Sequence, residues 1–451
     1  MSRLDSGRCA DYILRVVGRA TAISLAALFA FGALACGSKT GLNVPDIESV
    51  PDAAVDVQPD APRVCLEPGD ASHPVTVDLT INAQIAVADI LFVIDRTGSM
   101  DQEIDNIRQN LRSIIVPGLA RSIPDLQLGV VTFADFPIAP YGAPEDVTFT
   151  LVQGMTREIT AVQGALNGVR VGFGGDNPEA LVEAIYQIAT GEGLRSLGSL
   201  PDLIERSAGC PGPGTGYPCF RTVAQPILVV FTDAPSHNGP LRAGNWRCVP
   251  PSVEAGVSFP YSAGFVGYQA PHTYRAAVDA LRSRVRGRII GINSGASPTW
   301  GRDDLEQLAC DTGAVGGDGN PLVFDVGTDG SGLGEQVVHA IGRFQSEVRF
   351  DVTARSVDLD PPGGTDLITA IRARSATPAS QIRSMDGTTF FGVRPGTRLA
   401  FAIEIDPARA MRTEVEQVFR VRIEFLADGR PTLGSREIEI VIPGRGMMCP
   451  M

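Results

Sequence analysis

Residues 91–100, Leu-Phe-Val-Ile-Asp-Arg-Thr-Gly-Ser-Met, constrain this chain more than any other stretch. A run of large apolar residues without alternation describes a strand covered on both faces, as in a parallel sheet between helix layers. The strand ends abruptly in Asp95-x-Thr97-x-Ser99, which places one carboxylate and two hydroxyls at alternate positions of a tight loop. Three hard oxygen donors suit Mg²⁺, Mn²⁺ or Ca²⁺ and not a soft metal. Open α/β sheets bind ligands beyond the carboxyl ends of their strands, where this loop lies. A plainer reading makes Thr97 or Ser99 the cap of a helix that starts near Asp101.

Two later segments extend the pattern. Gly174-Gly175-Asp176-Asn177-Pro178-Glu179-Ala180 precedes an amphipathic helix over 181–189, and the apolar run 227–231 ends in Thr232-Asp233-Ala-Pro-Ser-His237. In this order, the three motifs resemble the von Willebrand factor A domain with its metal-ion-dependent adhesion site. The integrin β-subunit form is the most similar, over residues 86–345. The resemblance implies an α/β fold with a doubly wound, mostly parallel sheet. It also implies one divalent cation held by Asp95, Thr97, Ser99 and Glu179, with Asp233 acting through water. Two hydroxyls and two or three carboxylates leave one position open, which in such domains a partner protein's Asp or Glu fills. Asp176 and the Pro178 carbonyl match a neighbouring second-cation site, although Gly174 stands where that family has asparagine. Gln102 and Glu103 fall at a third cation position, with solvated residues at a helix start as the alternative.

The chemistry available elsewhere is limited. Lys39 is the only lysine, so the folded part has neither a Schiff-base lysine nor a phosphate-loop lysine. There is no Gly-x-Ser-x-Gly and no His-Glu-x-x-His motif, and His237 reads as a loop residue hydrogen-bonding near the site. A formal net charge of −13 without a basic stripe argues against nucleic-acid binding. The expected function is therefore a non-enzymatic, cation-dependent adhesion module. An envelope scaffold whose metal only stabilises the fold is the alternative, and a metal-dependent hydrolase is the remote one. Tyr261, Phe265, Tyr268 and Trp246, in the long loop 236–270, serve either local packing around Cys248 or ligand contact.

The pattern along the chain predicts helices at 102–119, 159–169, 179–190, 273–286, 302–310 and 334–345. Strands are predicted at 90–94, 126–133, 226–231, 288–292 and 322–325. After residue 345, the segments 348–354, 398–405, 418–426 and 437–442 alternate apolar and polar residues between Pro- and Gly-rich turns. This predicts an antiparallel β-sandwich over 346–451. Val75–Ile81 alternates likewise. In integrin β chains the A domain is inserted into a sandwich, so segment 65–85 is expected to lend that sheet a strand.

Residues 1–35 read as an export signal: Arg15 and Arg19, an apolar run over 23–31, then Ala33-Leu34-Ala35. The next residue, Cys36, makes it resemble a lipoprotein signal, with Cys36 lipidated and the protein held at the outer membrane. Plain Ala-x-Ala cleavage would cut the same bond. Residues 36–64, rich in Pro, Asp, Ala and Val, read as a disordered tether. Cys65, Cys210, Cys219, Cys248, Cys310 and Cys449 remain, an even number suited to disulfides in an oxidising compartment. Six cysteines allow 15 pairings. Cys210–Cys219 closes a short loop, and Cys65–Cys449 is expected if the two ends of the sandwich meet.

Overall fold

The computed structural model describes residues 61–67, 74–240, 248, 257–262, 264–295 and 301–449. The export signal, Cys36, most of the tether and Trp246 lie outside these residues. In chain order the strands are β1 (Arg63–Cys65), β2 (Val75–Asn82), β3 (Val87–Asp95), β4 (Asp125–Phe133), β5 (Phe149–Thr156), β6 (Gln225–Thr232), β7 (Gly239–Pro240), β8 (Val257–Ser258), β9 (Arg288–Asn293), β10 (Val323–Asp325), β11 (Phe350–Asp358), β12 (Ile368–Thr377), β13 (Ser384–Met385), β14 (Phe390–Val393), β15 (Arg398–Ile405), β16 (Gln417–Ala427) and β17 (Ser435–Ile442). The helices are α1 (Asp101–Asn110), α2 (Val116–Ala120), α3 (Ile159–Gly168), α4 (Leu181–Thr190), α5 (Tyr274–Ala280), α6 (Arg302–Thr312) and α7 (Leu333–Glu347). Among the described residues, no helix is long and apolar enough to cross a membrane.

One six-stranded sheet runs β10-β9-β6-β3-β4-β5 and is parallel except for β5. Every residue of β6 is buried, as a central strand between helix layers requires. Each fully buried Val, Leu or Ile in it contributes about 1.5–3 kcal/mol. From β3 the chain goes to β4 on one side and later reaches β6 on the other. The carboxyl ends of β3 and β6 therefore flank a topological switch point. The helix predicted over 102–119 is present, but it widens into a π turn over Leu111–Ile115. Pro117, in the first turn of α2, has no amide hydrogen to offer, and the wide turn accommodates it.

β7 and β8 pair as a separate two-stranded ribbon, and the remaining strands form a six-stranded sheet, β1-β17-β16-β11-β14-β13, and a three-stranded one, β12-β15-β2. Phe401 of β15 meets Phe390 and Phe425 of the other sheet, with ring centroids 5.1 and 5.4 Å apart. β2 pairs antiparallel with β15 along its whole length, from Val75↔Ile405 to Asn82↔Arg398. The parallel-sheet domain is thus inserted between β2 and β11. The tether assignment needs a correction at its end: Arg63 and Val64 pair with Glu439 and Ile440 of β17 and belong to the sheet. Strands β5, β12 and β14 were not predicted. The first two have register shifts that break their alternation, and β14 is only four residues long.

The hairpin Asp428-Gly429-Arg430 joins the two domains. Arg430 is 7% exposed and has no carboxylate partner among the described residues; it donates to the carbonyls of Arg221, Ala224 and Val285 at 3.0, 3.3 and 2.6 Å. Arg286 donates to the Asp428 carbonyl at 2.5 Å, and Arg288 pairs with the Asp428 carboxylate. The disulfides are Cys65–Cys449, Cys210–Cys219 and Cys248–Cys310. The first spans 384 residues of sequence. In the chain-entropy account a loop that long contributes about 6 kcal/mol. A Cys65→Ala/Cys449→Ala variant is expected to lose stability of that order in denaturant unfolding while keeping its far-ultraviolet circular dichroism.

Candidate metal centre

Asp95 ends β3 and is completely buried. Its Oδ1 accepts from the Thr97 amide at 2.9 Å and the Thr97 hydroxyl at 2.7 Å, and its Oδ2 accepts from Thr232 Oγ1, at the end of β6, at 2.7 Å. Thr97 stands at the start of a 3₁₀ turn, but its side chain makes no cap hydrogen bond. Its hydroxyl points back to Asp95, contrary to the plain capping reading. Ser99 Oγ donates to Asp233 Oδ1 at 3.1 Å, which links the loops after β3 and β6.

Glu179 arrives on the segment before α4. Its amide donates to Pro235 O and its carbonyl accepts from His237 N, both at 2.9 Å, which clips it to the loop after β6. Ser236 N in turn donates to Asp304 of α6 at 2.7 Å. The preceding glycines permit the approach. Gly174 has φ +75°, and a Cβ on Gly175 would lie 2.2 Å from Tyr141 O. The Glu179 side chain is 4% exposed, and its Oε2 has no hydrogen-bond partner.

Burial, then the Asp233 charge, push the Asp95 carboxyl up to about 7. Burial followed by the charges of Asp95, Asp135, Asp146 and Asp176 push Glu179 up to about 11. Asp89, at the other end of β3, shows the contrast. It is equally buried, but Arg221 reaches it through Nε at 2.8 Å. No described Arg or His side chain bonds to Asp95, Glu179 or Asp233. Hard oxygen donors, several of them anionic, around an unpartnered buried oxygen fit a divalent cation.

Asp135 was missed in the sequence, although it follows the apolar run Val130–Phe133 much as Asp95 and Asp233 follow theirs. It is buried; Tyr261 donates to its Oδ1 at 2.8 Å, and its Oδ2 accepts no hydrogen bond although His237 Nε2 lies 3.2 Å away. His237 Nε2 is also 3.2 Å from Asp176 Oδ1, and its Nδ1 lies 2.8 Å from Phe259 O. Asp135, Asp176 and His237 thus form a second cluster of metal-ligating type beside the first. Burial pulls the His237 imidazole down, but Asp135, Phe259 and Asp176 outweigh it and leave it raised. Pro178 is buried next to Glu179. At the third position, the pair predicted together divides. Gln102 is exposed, whereas Glu103 is buried, held up chiefly by that burial, with an unpartnered Oε2. Tyr261 and Phe265 pack edge-on against Phe136, at 5.2 and 5.0 Å.

A family model for the von Willebrand factor A domain matches residues 89–193, from β3 through α4 of the parallel-sheet part of this chain. Among solved structures, a von Willebrand factor type A protein from Catenulispora acidiphila is 14% identical, with a TM-score of 0.34, covering 84% of this chain and 76% of that one. The pilus adhesin SpaC from Lactobacillus rhamnosus GG, in its open conformation, is 13% identical with a TM-score of 0.32. That match covers 82% of this chain and 45% of the adhesin. No curated protein matches the sequence.

Because Asp95 and Glu179 are both raised in the folded protein, their protonation favours folding. That contribution is complete below their ordinary values of 3.8 and 4.5 and is lost as pH rises through about 7 and on toward 11. In EDTA the melting temperature is expected to fall between about pH 5 and pH 8, and Mg²⁺ is expected to raise it more at the higher pH. Asp95→Asn should flatten the slope. Scanning calorimetry checks this, and a Mg²⁺ effect independent of pH would count against it.

Proposed function

We propose that the A domain is a divalent-cation-dependent protein-binding module. In this reading Asp95, Thr97, Ser99 and Glu179, with Asp233 through water, hold one Mg²⁺, Mn²⁺ or Ca²⁺ and leave a position open for a carboxylate of a partner protein. The observation that carries the reading is Glu179. A carboxylate on a separate loop is buried against Asp95 with one oxygen unpartnered and no Arg or His among the described residues bonded to it. A bound ion would supply a positive charge and offer it to an incoming carboxylate. The residues themselves set the geometry. Thr97 and Thr232 fix the Asp95 carboxylate, Ser99 orients Asp233, and the backbone bridge at Glu179–Ser236 holds the second loop against the third. Asp135 and Asp176, beside Pro178 and Glu179, are the residues at which a second ion would sit, and Glu103 is the residue left for a third.

Asp95→Ala is expected to abolish Mg²⁺ and Mn²⁺ binding in calorimetric titration, because it removes the innermost anionic ligand. Thr97→Ala should weaken binding less, since water replaces a neutral hydroxyl. Equal affinities in wild type and Asp95→Ala would remove the site. We place the module on a lipid anchor at Cys36, in the outer membrane of the cell envelope, from the signal-like sequence before it. Palmitate labelling of the wild type and its loss in Cys36→Ala would support this, and a soluble unlabelled mature wild type would refute it.

A further inference from the structure

The segment Val171-Gly172-Phe173-Gly174 runs beside the Asp95–Ser99 loop. Gly172 N donates to Arg96 O at 2.6 Å, and a Cβ on Gly98 would lie 3.5 Å from Gly172 O and 3.8 Å from Phe173 O. Asp146 holds the segment from behind, accepting from the Phe173 and Gly174 amides at 3.2 and 3.1 Å. So fixed, the segment presents Phe173 at 76% exposure and Val171 at 37%. An aromatic ring that exposed on a backbone tied down by hydrogen bonds is an unpartnered contact and not a fraying end.

Arg96 stands on the same patch. Its side chain makes no hydrogen bond or ion pair among the described residues, and its Nε is buried without a partner. The guanidinium lies over Gly172, where Nη2 is 3.5 Å from the position of a Cβ. Asp146 is nearby, but its oxygens already serve three backbone amides. In a chain with a net charge of −13, a cation without a bonded carboxylate beside a carboxylate-binding centre is a complementary charge for an acidic ligand.

We propose that Arg96, Val171 and Phe173 are the selectivity surface of this centre. The occupant is an extended segment of a partner protein in which the carboxylate bound at the centre is flanked by an apolar side chain, set on Phe173 and Val171, and by a second carboxylate, set on Arg96. This rests on the cation-dependent binding proposed above.

The test uses the full chain and immobilised synthetic peptides with one central Asp, whose neighbouring positions are Gly, Leu or Glu. Binding is read in saturating Mg²⁺ and in EDTA. In wild type, Leu and Glu neighbours together are expected to strengthen Mg²⁺-dependent binding about tenfold over Gly. Phe173→Ser should abolish the preference for Leu and keep that for Glu. Arg96→Gln should abolish the preference for Glu, and Arg96→Lys should restore part of it. Each readout is a ratio between peptides on one protein, so a general change in cation affinity cancels. Indifference of the wild type to the neighbouring residues, unchanged ratios in the variants, or a cation-loaded wild type that binds no peptide would overturn the surface. Failure of the wild type to take up Mg²⁺ in calorimetry would instead remove the cation reading, and the surface with it.

Discussion

The carboxylate of Asp95 lies in a fully desolvated position between two parallel strands, and the surrounding structure answers to it. A charge there is costly unless something opposes it. At the base of the same strand the protein meets that demand internally, by setting Arg221 on Asp89. At the top it does the reverse and brings further carboxylates, Glu179 and Asp233, toward the buried one. The hydroxyls of Thr97 and Thr232 each contribute one hydrogen bond, which orients the charge without neutralising it. The two ends of β3 therefore embody opposite solutions to one electrostatic problem.

Holding such a cluster together requires rigid supports on several elements. Glu179 is fixed by backbone bonds to the loop after β6, that loop is fixed by Asp304 of α6, and Gly175 lets the chain pass against Tyr141. The aromatic group of Phe136, Tyr141, Tyr261 and Phe265 buttresses the neighbouring Asp135–Asp176–His237 cluster. Of the aromatic residues in the loop 236–270, Tyr261 hydrogen-bonds to Asp135 and Phe265 packs on Phe136 and Tyr261.

The parallel sheet was legible because its central strands are runs of apolar residues ending abruptly in a carboxylate. β3 and β6 announce both their burial and the place where burial ends. Asp135 offered the same signal after β4 and was passed over, because no second motif drew attention to it. Glu103 and Gln102 are neighbours in sequence, so they looked like a pair. A helix turns about 100° per residue, which buries one and exposes the other. β12 escaped because its bulges shift the alternation by a residue partway along, and a period of two cannot survive that. Nothing local marks Arg430 as the residue that ties the two domains together. Its partners are main-chain carbonyls, and carbonyls have no sequence signature.

The insertion of one domain into the other also has a mechanical meaning. Both connections of the inserted domain, from Asn82 to Val87 and from Glu347 to Phe350, leave at the end opposite Asp95, where Gln345 reaches the Ile85 carbonyl at 3.4 Å. A pull between the Asp95 end and the sandwich is therefore shared by two short covalent links in parallel. Tension entering from the segment before Arg63 meets only three paired residues of β1, which would unzip one after another. The disulfide at Cys65 passes that tension to Cys449 and so to the chain beyond β17. Load that passes β1 is thus divided between Cys65 and Cys449 before it reaches the longer strands of the two sheets.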